Sequence, residues 1–244
     1  MEEKPKKETT GVNTLGWGSK LSIFVSIAAY FFSQLILIIP VVIIALFNRG
    51  QDVQNIINNN VLLNLSLASI SSATIIFVLW YFLKRRGRGF KDLGFKKFKK
   101  TDFLWLTIGV AMYFVAVAVV LTIASFIPGF NENQSQDVGY QGVHGLGLIL
   151  AFVGLVVLPP FAEEVLFRGF LYRGLASRWP KVISALIASL LFAVVHFQWN
   201  VGLDVFVLSL VLIFLLEKTK NLWVCILAHA LKNGVAFLVL FVFT

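Results

Sequence analysis

The feature that most limits what this chain can become is a set of apolar runs too long for a soluble fold. Leu21 to Phe47 and Phe103 to Ile127 each proceed without a charged residue, well past the roughly 18 residues that mark a membrane-spanning helix. The chain as a whole is 58% hydrophobic and 14% charged. An ordinary soluble domain is about 45–50% apolar and about 25% charged, so these runs are not a soluble core. The first run exceeds the roughly 7–15 residues of a signal-peptide apolar region, and no small-residue cleavage site closes it, so it reads as a retained span. Seven spans follow: Leu21–Phe47, Val61–Leu83, Phe103–Ile127, Gly145–Leu175, Val182–Phe197, Leu203–Leu216 and Leu222–Phe243. The fold class is all-α, a polytopic transmembrane bundle of about seven spans. It is organised as a tail, 1–20, and one transmembrane domain, 21–244, whose half 145–244 holds the chemistry.

Charge placement orients the bundle. Of 21 Lys and Arg residues, all but Arg49, Arg168 and Lys232 fall on one side of the membrane if the spans alternate. The positive-inside rule then puts the N-terminus in the cytoplasm and the C-terminus outside. All six tryptophans fall near predicted span ends, where interfacial belts form. The net charge of +9 is therefore a membrane-orientation and anionic-lipid signal, and nucleic acid is excluded as a partner. The loop Lys84–Lys100, which mixes cations with Phe90, Leu93, Phe95 and Phe98, is expected either to lie on the inner leaflet or to be a solvated retention loop. The single cysteine, Cys225, allows neither an intrachain disulfide nor a thiolate metal cluster. His144 reads as a loop histidine.

Against this background the stretch PPFAEEVLFRG, Pro159 to Gly169, is anomalous. A charge at membrane depth costs about 2.5–3.5 kcal/mol on insertion scales, so such residues face a bundle interior or a wet cavity. Glu163, Glu164, Arg168, His196, His229 and Lys232 are of this kind, with Asn233 beside them, and they locate a site in spans four, five and seven. Glu164 and Arg168 are four apart and pair on one helix face. Glu163 is rotated about 100° away and is left to meet a partner across the bundle. His229 and Asn233 share a face, as do Phe192 and His196. A carboxylate with a neutral imidazole can deprotonate water as a general base. A second imidazole and an amide can donate to an oxyanion. Glu163, His196 and His229 equally match a zinc set with one open position, although no HExxH occurs. Pro159 and Pro160 break the run just before the glutamates and free backbone groups that need partners. Gly169 and Gly174 permit close helix approach.

The order EExxxR at Glu163–Arg168, FxxxH at Phe192–His196 and HxxxN at His229–Asn233 resembles the CPBP family. These are CAAX-processing and bacteriocin-processing intramembrane proteases, also called Abi, and the resemblance runs from about Gly145 to the C-terminus. It implies an intramembrane endopeptidase in which Glu163 and His196 activate water, His229 and Asn233 stabilise the oxyanion, and Arg168 with Glu164 holds the geometry. It favours a glutamate mechanism with no required cofactor, with Zn2+ as the alternative. The implied partners are a peptide or membrane-protein substrate, CAAX-type or a bacteriocin or pheromone precursor, and the lipid bilayer. The implied location is a bacterial plasma membrane. Lys232, inside HxxxN, either snorkels or pairs with Glu164. A proton-coupled transporter and a catalytically silent immunity or scaffold protein are the competing functions, the first opposed by the lack of an inverted repeat.

The topology is testable alone. In a Cys225→Ser background, single cysteines at Lys6 and Lys97 are expected to react with an impermeant maleimide only from the cytoplasmic side. One at Asn133 is expected to react only from outside; labelling of Lys6 and Asn133 from the same side contradicts the assignment.

Overall fold

The computed structural model describes residues 15–130 and 138–243, and the helices among them are unaccompanied by strand. The tail expected at 1–20, including Lys4, Lys6 and Lys7, lies largely outside the described residues. The elements are α1 (Ser19–Phe47), the short α2 (Val53–Asn58), α3 (Val61–Arg85), α4 (Lys100–Ala124), α5 (Leu146–Ala176), α6 (Lys181–Val194), α7 (Trp199–Thr219) and α8 (Leu222–Phe241). All but α2 and α6 are long and apolar enough to cross a membrane. This is an integral membrane protein, with helices where the sequence predicts its seven spans. The element not foreseen is α2, which Asp52 caps by accepting from the backbone N–H groups of Gln54 and Asn55. Its six residues carry too few apolar positions to register as a periodic pattern.

Helices α1 and α3 pair on one side of the bundle and α4, α7 and α8 on the other, with α6 against α7. Between the two groups runs α5, which touches α1, α3, α6 and α8. Lipid tails are as apolar as leucine, so such helices are held by close packing rather than by exclusion of water. Gly169 and Gly174 allow it on α5. A Cβ on Gly169 would sit 3.0 Å from Leu222 and 3.2 Å from Leu93, and one on Gly174 would overlap Ser22 and Trp17.

The basic segments gather at one end. Lys181 and Lys220 both bind Glu217. Asn221 donates to Asp102 at 3.0 Å, the Leu222 N–H donates to the Gly94 carbonyl, and Arg86 reaches the Gly16 carbonyl. Two expectations are corrected here. Trp17 is not an interfacial belt residue: it is 1% exposed, stacks on Phe170 at 5.1 Å and donates to the Phe170 carbonyl. Position near a span end does not separate a lipid-facing indole from one that plugs a helix junction. Likewise the loop 84–100 does not lay its apolar side chains on the leaflet. Leu93 is fully buried, and Phe95 packs on Trp223 at 5.1 Å and on Phe161 at 6.3 Å. The loop seals the bundle from below.

Trp17→Ala is expected to lower stability in detergent by about 3–5 kcal/mol. Trp80→Ala, whose ring is 41% exposed, should cost under about 1 kcal/mol. Denaturant unfolding followed by circular dichroism measures both.

Candidate active site

The site begins with a backbone problem on α5. Pro159 and Pro160 lack N–H groups, so the Leu155 carbonyl loses its partner whether hydrogen bonds are counted four or five residues ahead. The helix does not break. It passes through a π-helical segment at Val153–Val157, returns to α geometry at Leu158–Glu164, and widens again at Val165–Tyr172. Asn233 of α8 repairs the gap by donating its Nδ2 to Leu155 O at 3.1 Å. π turns of this kind are frequent at functional sites.

Just past the prolines, the two glutamates diverge as their 100° separation requires. Glu164 is fully buried and accepts from Arg168 Nη1 at 2.8 Å. The same oxygen, Oε1, accepts from His229 Nδ1 at 2.8 Å. This second bond was not anticipated. It makes Glu164 the tie between α5 and α8. Arg168, also fully buried, lies with its guanidinium carbon 4.3 Å from the ring centroid of Phe192, a cation–π contact strengthened by the dry surroundings. Glu163 points elsewhere. Its Oε2 lies 3.9 Å from His229 Nε2, and its side chain lines a cavity of about 120 Å³ walled by Tyr30 and Gln34 of α1, Ser71 and Ser72 of α3, and Pro159. A separation of 3.9 Å is too long for a direct hydrogen bond and short enough for one water to bind both groups.

The third component is the end of α6. Its 14 residues rise only about 21 Å, less than the roughly 30 Å hydrocarbon core, so the turn after it ends within the bilayer. Carbonyls exposed there need partners, and each of the last five has one. Leu191, Ala193 and Val194 accept from the N–H groups of Val195, His196 and Phe197. Phe192 O accepts from His196 Nδ1 at 2.8 Å, and Val195 O accepts from Tyr30 Oη at 2.9 Å. Phe197 adopts a left-handed φ of 53°, a conformation a bulky residue keeps only when its surroundings enforce it. Phe192 is the hub: its ring meets His196 at 5.0 Å and His229 at 6.0 Å, both edge to face. In both histidines Nδ1 is committed to an oxygen acceptor, and Nε2 remains for chemistry.

Of the residues singled out by sequence, Glu163, Glu164, Arg168 and His229 are thus in direct contact as a cluster. His196 stands across the Phe192 ring, and Asn233 is committed to backbone. The alternative pairing of Lys232 with Glu164 is not formed. Lys232 Nζ instead binds Asp204 Oδ2 at 2.9 Å, and Asp204 in turn accepts from Tyr113. Asp204 was only weakly legible: it sits one residue inside the sixth predicted span, where a charge costs less than at the mid-span position of Lys232. As for a metal, among the described residues no three His, Cys, Asp or Glu side chains converge as a ligand set. Glu163, His196 and His229 do not fit zinc in this arrangement.

Comparison with known proteins places this half of the molecule. Residues 145–235, which hold every element of the cluster just described, match the model of the type II CAAX prenyl endopeptidase Rce1-like family. This match agrees with the resemblance of the EExxxR, FxxxH and HxxxN order to the CPBP family. At the family level the match supports a CAAX-type intramembrane protease. Among curated proteins, the chain is 24% identical over 163 residues to UPF0177 protein YxdF of Lactococcus lactis subsp. lactis (strain IL1403), covering 66% of this chain and 89% of that one. It is 24% identical over 131 residues to the protein named "Putative membrane peptidase YdiL" of Bacillus subtilis (strain 168), covering 53% of each. It is 31% identical over 126 residues to "Uncharacterized protein YpbD" of the same organism, covering 50% of this chain and 62% of that one. The matches thus span between half and two thirds of the length of the two Bacillus relatives. No solved structure matches. The CPBP match stops short of α1 and α3, which supply the opposite wall of the cavity.

Arg168→Met alone is expected to cost about 3–5 kcal/mol, because it strands the buried Glu164 carboxylate. The double variant Glu164→Gln/Arg168→Met should recover more than half of that loss in denaturant unfolding. Additive losses would mean the pair is not coupled.

Proposed function

We propose that this chain is an intramembrane endopeptidase that hydrolyses peptide bonds with a water activated by Glu163 and assisted by histidine. The reading is carried by one observation: Glu163 and His229 Nε2 flank the same point at 3.9 Å, while Glu164 holds the other nitrogen of that imidazole. A carboxylate that orients a histidine from behind fixes its tautomer and stabilises its protonated form, the logic of the serine-protease triad carried over to water.

Glu163, open to the cavity, takes a proton from water as the oxygen attacks the peptide carbonyl. The resulting oxyanion requires donors. The second N–H of the Asn233 amide is available for that role, as is His196 Nε2 when that ring is protonated, its Nδ1–H being given to Phe192 O. Glu163 passes the water proton to His229 Nε2, the imidazolium so formed delivers it to the leaving amine, the C–N bond breaks, and the water oxygen stays in the new carboxylate. This division differs in one respect from the expectation above, since His229 rather than His196 is the nearest imidazole to Glu163.

The substrates best suited to such a site are membrane-associated peptides or proteins. The relatives compared above are bacterial, which favours peptide maturation or self-immunity at a bacterial plasma membrane over processing of prenylated proteins. The gathering of Lys84–Lys100, Lys181, Lys218 and Lys220 at one end supports a cytoplasmic N-terminus and contact with anionic lipid there.

In liposomes, Glu163→Gln and His229→Ala are each expected to lower kcat/KM for a membrane-anchored peptide by about 10²–10⁴-fold. The melting temperature should be unchanged in Glu163→Gln and lowered in His229→Ala, which removes a hydrogen bond from the buried Glu164. A chelator should leave the rate intact. Wild-type rates in Glu163→Gln, or loss on chelation restored only by zinc, would refute the mechanism.

A further inference from the structure

α1 lies outside the matched CPBP region, yet Tyr30 reaches the site from it. Its hydroxyl donates to Val195 O at 2.9 Å, the carbonyl of the residue immediately before His196. Its side chain also lines the cavity into which Glu163 opens. Tyr30 therefore reaches both halves of the proposed machinery, the cavity of the carboxylate on α5 and the histidine turn after α6, and belongs to neither helix.

The attachment is firm at its base. Ser33, one turn on, donates to the Tyr30 carbonyl at 2.6 Å and accepts from Ser71 of α3 at 3.4 Å. Gln34 donates to the same Ser33 oxygen. A ladder of small polar side chains thus locks the Tyr30 turn of α1 to α3, on the cavity wall shared by Ser71 and Ser72. The other end is the opposite: a four-residue connection between α6 and α7, with a left-handed Phe197 whose side chain is 75% exposed. Val195 against the core and His196 on the Phe192 ring are the packing contacts of that turn. Two hydrogen bonds orient the His196 ring within it: Nδ1 to Phe192 O, internal to the turn, and Tyr30 to Val195 O, which ties the turn to the rest of the bundle.

We propose that Tyr30 is a positioning residue for the hydrolytic site: through the Val195 carbonyl it sets the turn that presents His196 Nε2 to the Glu163 cavity. The inference rests on the peptidase reading for its catalytic consequence but not for its structural one. Losing the hydroxyl leaves a membrane-buried carbonyl without its donor, and the turn relaxes. A displacement on the order of 1 Å at a catalytic imidazole is enough to cost about a hundredfold in rate.

The chain has three histidines, so ring-13C histidine labelling gives three signals, assigned with single His→Gln variants. In the full-length protein, Tyr30→Phe is expected to shift or broaden the His196 signal and leave that of His229 in place. In liposomes, kcat should fall about ten- to a hundredfold with KM within about twofold. Tyr30→Gln, which restores an N–H donor, should return the His196 signal toward the wild-type position, and it serves as the probe should Tyr30→Phe fail to fold. An unmoved His196 signal, equal movement of His196 and His229, or a wild-type kcat in Tyr30→Phe overturns the proposal. If the wild-type chain cleaves no peptide, the peptidase reading fails, and the His196 signal still decides the role of Tyr30.

Discussion

A single buried carboxylate oxygen, Glu164 Oε1, receives both Arg168 and His229, and the bundle is arranged around that fact. Ionised groups with no exposed surface are tolerated only when paired and hydrogen-bonded. Arg168 satisfies the first requirement from one turn along the same helix. His229 satisfies the second from α8. The arrangement fixes the rotation of α5: once Glu164 faces inward, its neighbour Glu163 must face the cavity. It also fixes the rotation of α8, since His229 can present Nε2 to Glu163 only while Nδ1 is held. The polar residue that does not react thereby aims the two that are proposed to.

The second constraint is the bilayer's intolerance of open backbone. Two features of the chain break helical hydrogen bonding where there is no water to substitute, the Pro159–Pro160 pair on α5 and the early end of α6. Each is repaired by a side chain from a distant helix, Asn233 for Leu155 and Tyr30 for Val195. These repairs draw α8 onto α5 and α1 onto the α6 turn, bringing His229 to Glu163 and His196 to the other side of the Phe192 ring. Irregular backbone at membrane depth occurs where it is enclosed by protein or lines a wet space. Here the breaks and the ionisable residues coincide, as expected if the irregularity serves a hydrated site.

The helices were legible because hydropathy over some twenty residues is a strong signal, and the Glu164–Arg168 pair because it needs only helical spacing. The spacing argument also gave the divergence of Glu163 from Glu164. What was not legible depends on partners far apart in sequence. That Asn233 serves a proline-freed carbonyl 78 residues away, that Lys232 meets Asp204, and that Tyr30 reaches across 165 residues are consequences of helix packing, which periodicity does not encode. Trp17 and the loop around Phe95 were misplaced for a related reason. Near a span end, lipid and a neighbouring helix are equally apolar, and hydropathy cannot distinguish them.

The central claim is that water, activated by Glu163 inside the bilayer, is the atom source for peptide hydrolysis. A single turnover of the liposome-reconstituted protein in H2¹⁸O, read by mass spectrometry of the released fragment, tests it directly. The account predicts one ¹⁸O in the newly formed carboxylate from the first turnover and none in Glu163. A first product carrying only ¹⁶O, with the label appearing on Glu163, would mean that the carboxylate attacks covalently and would contradict it.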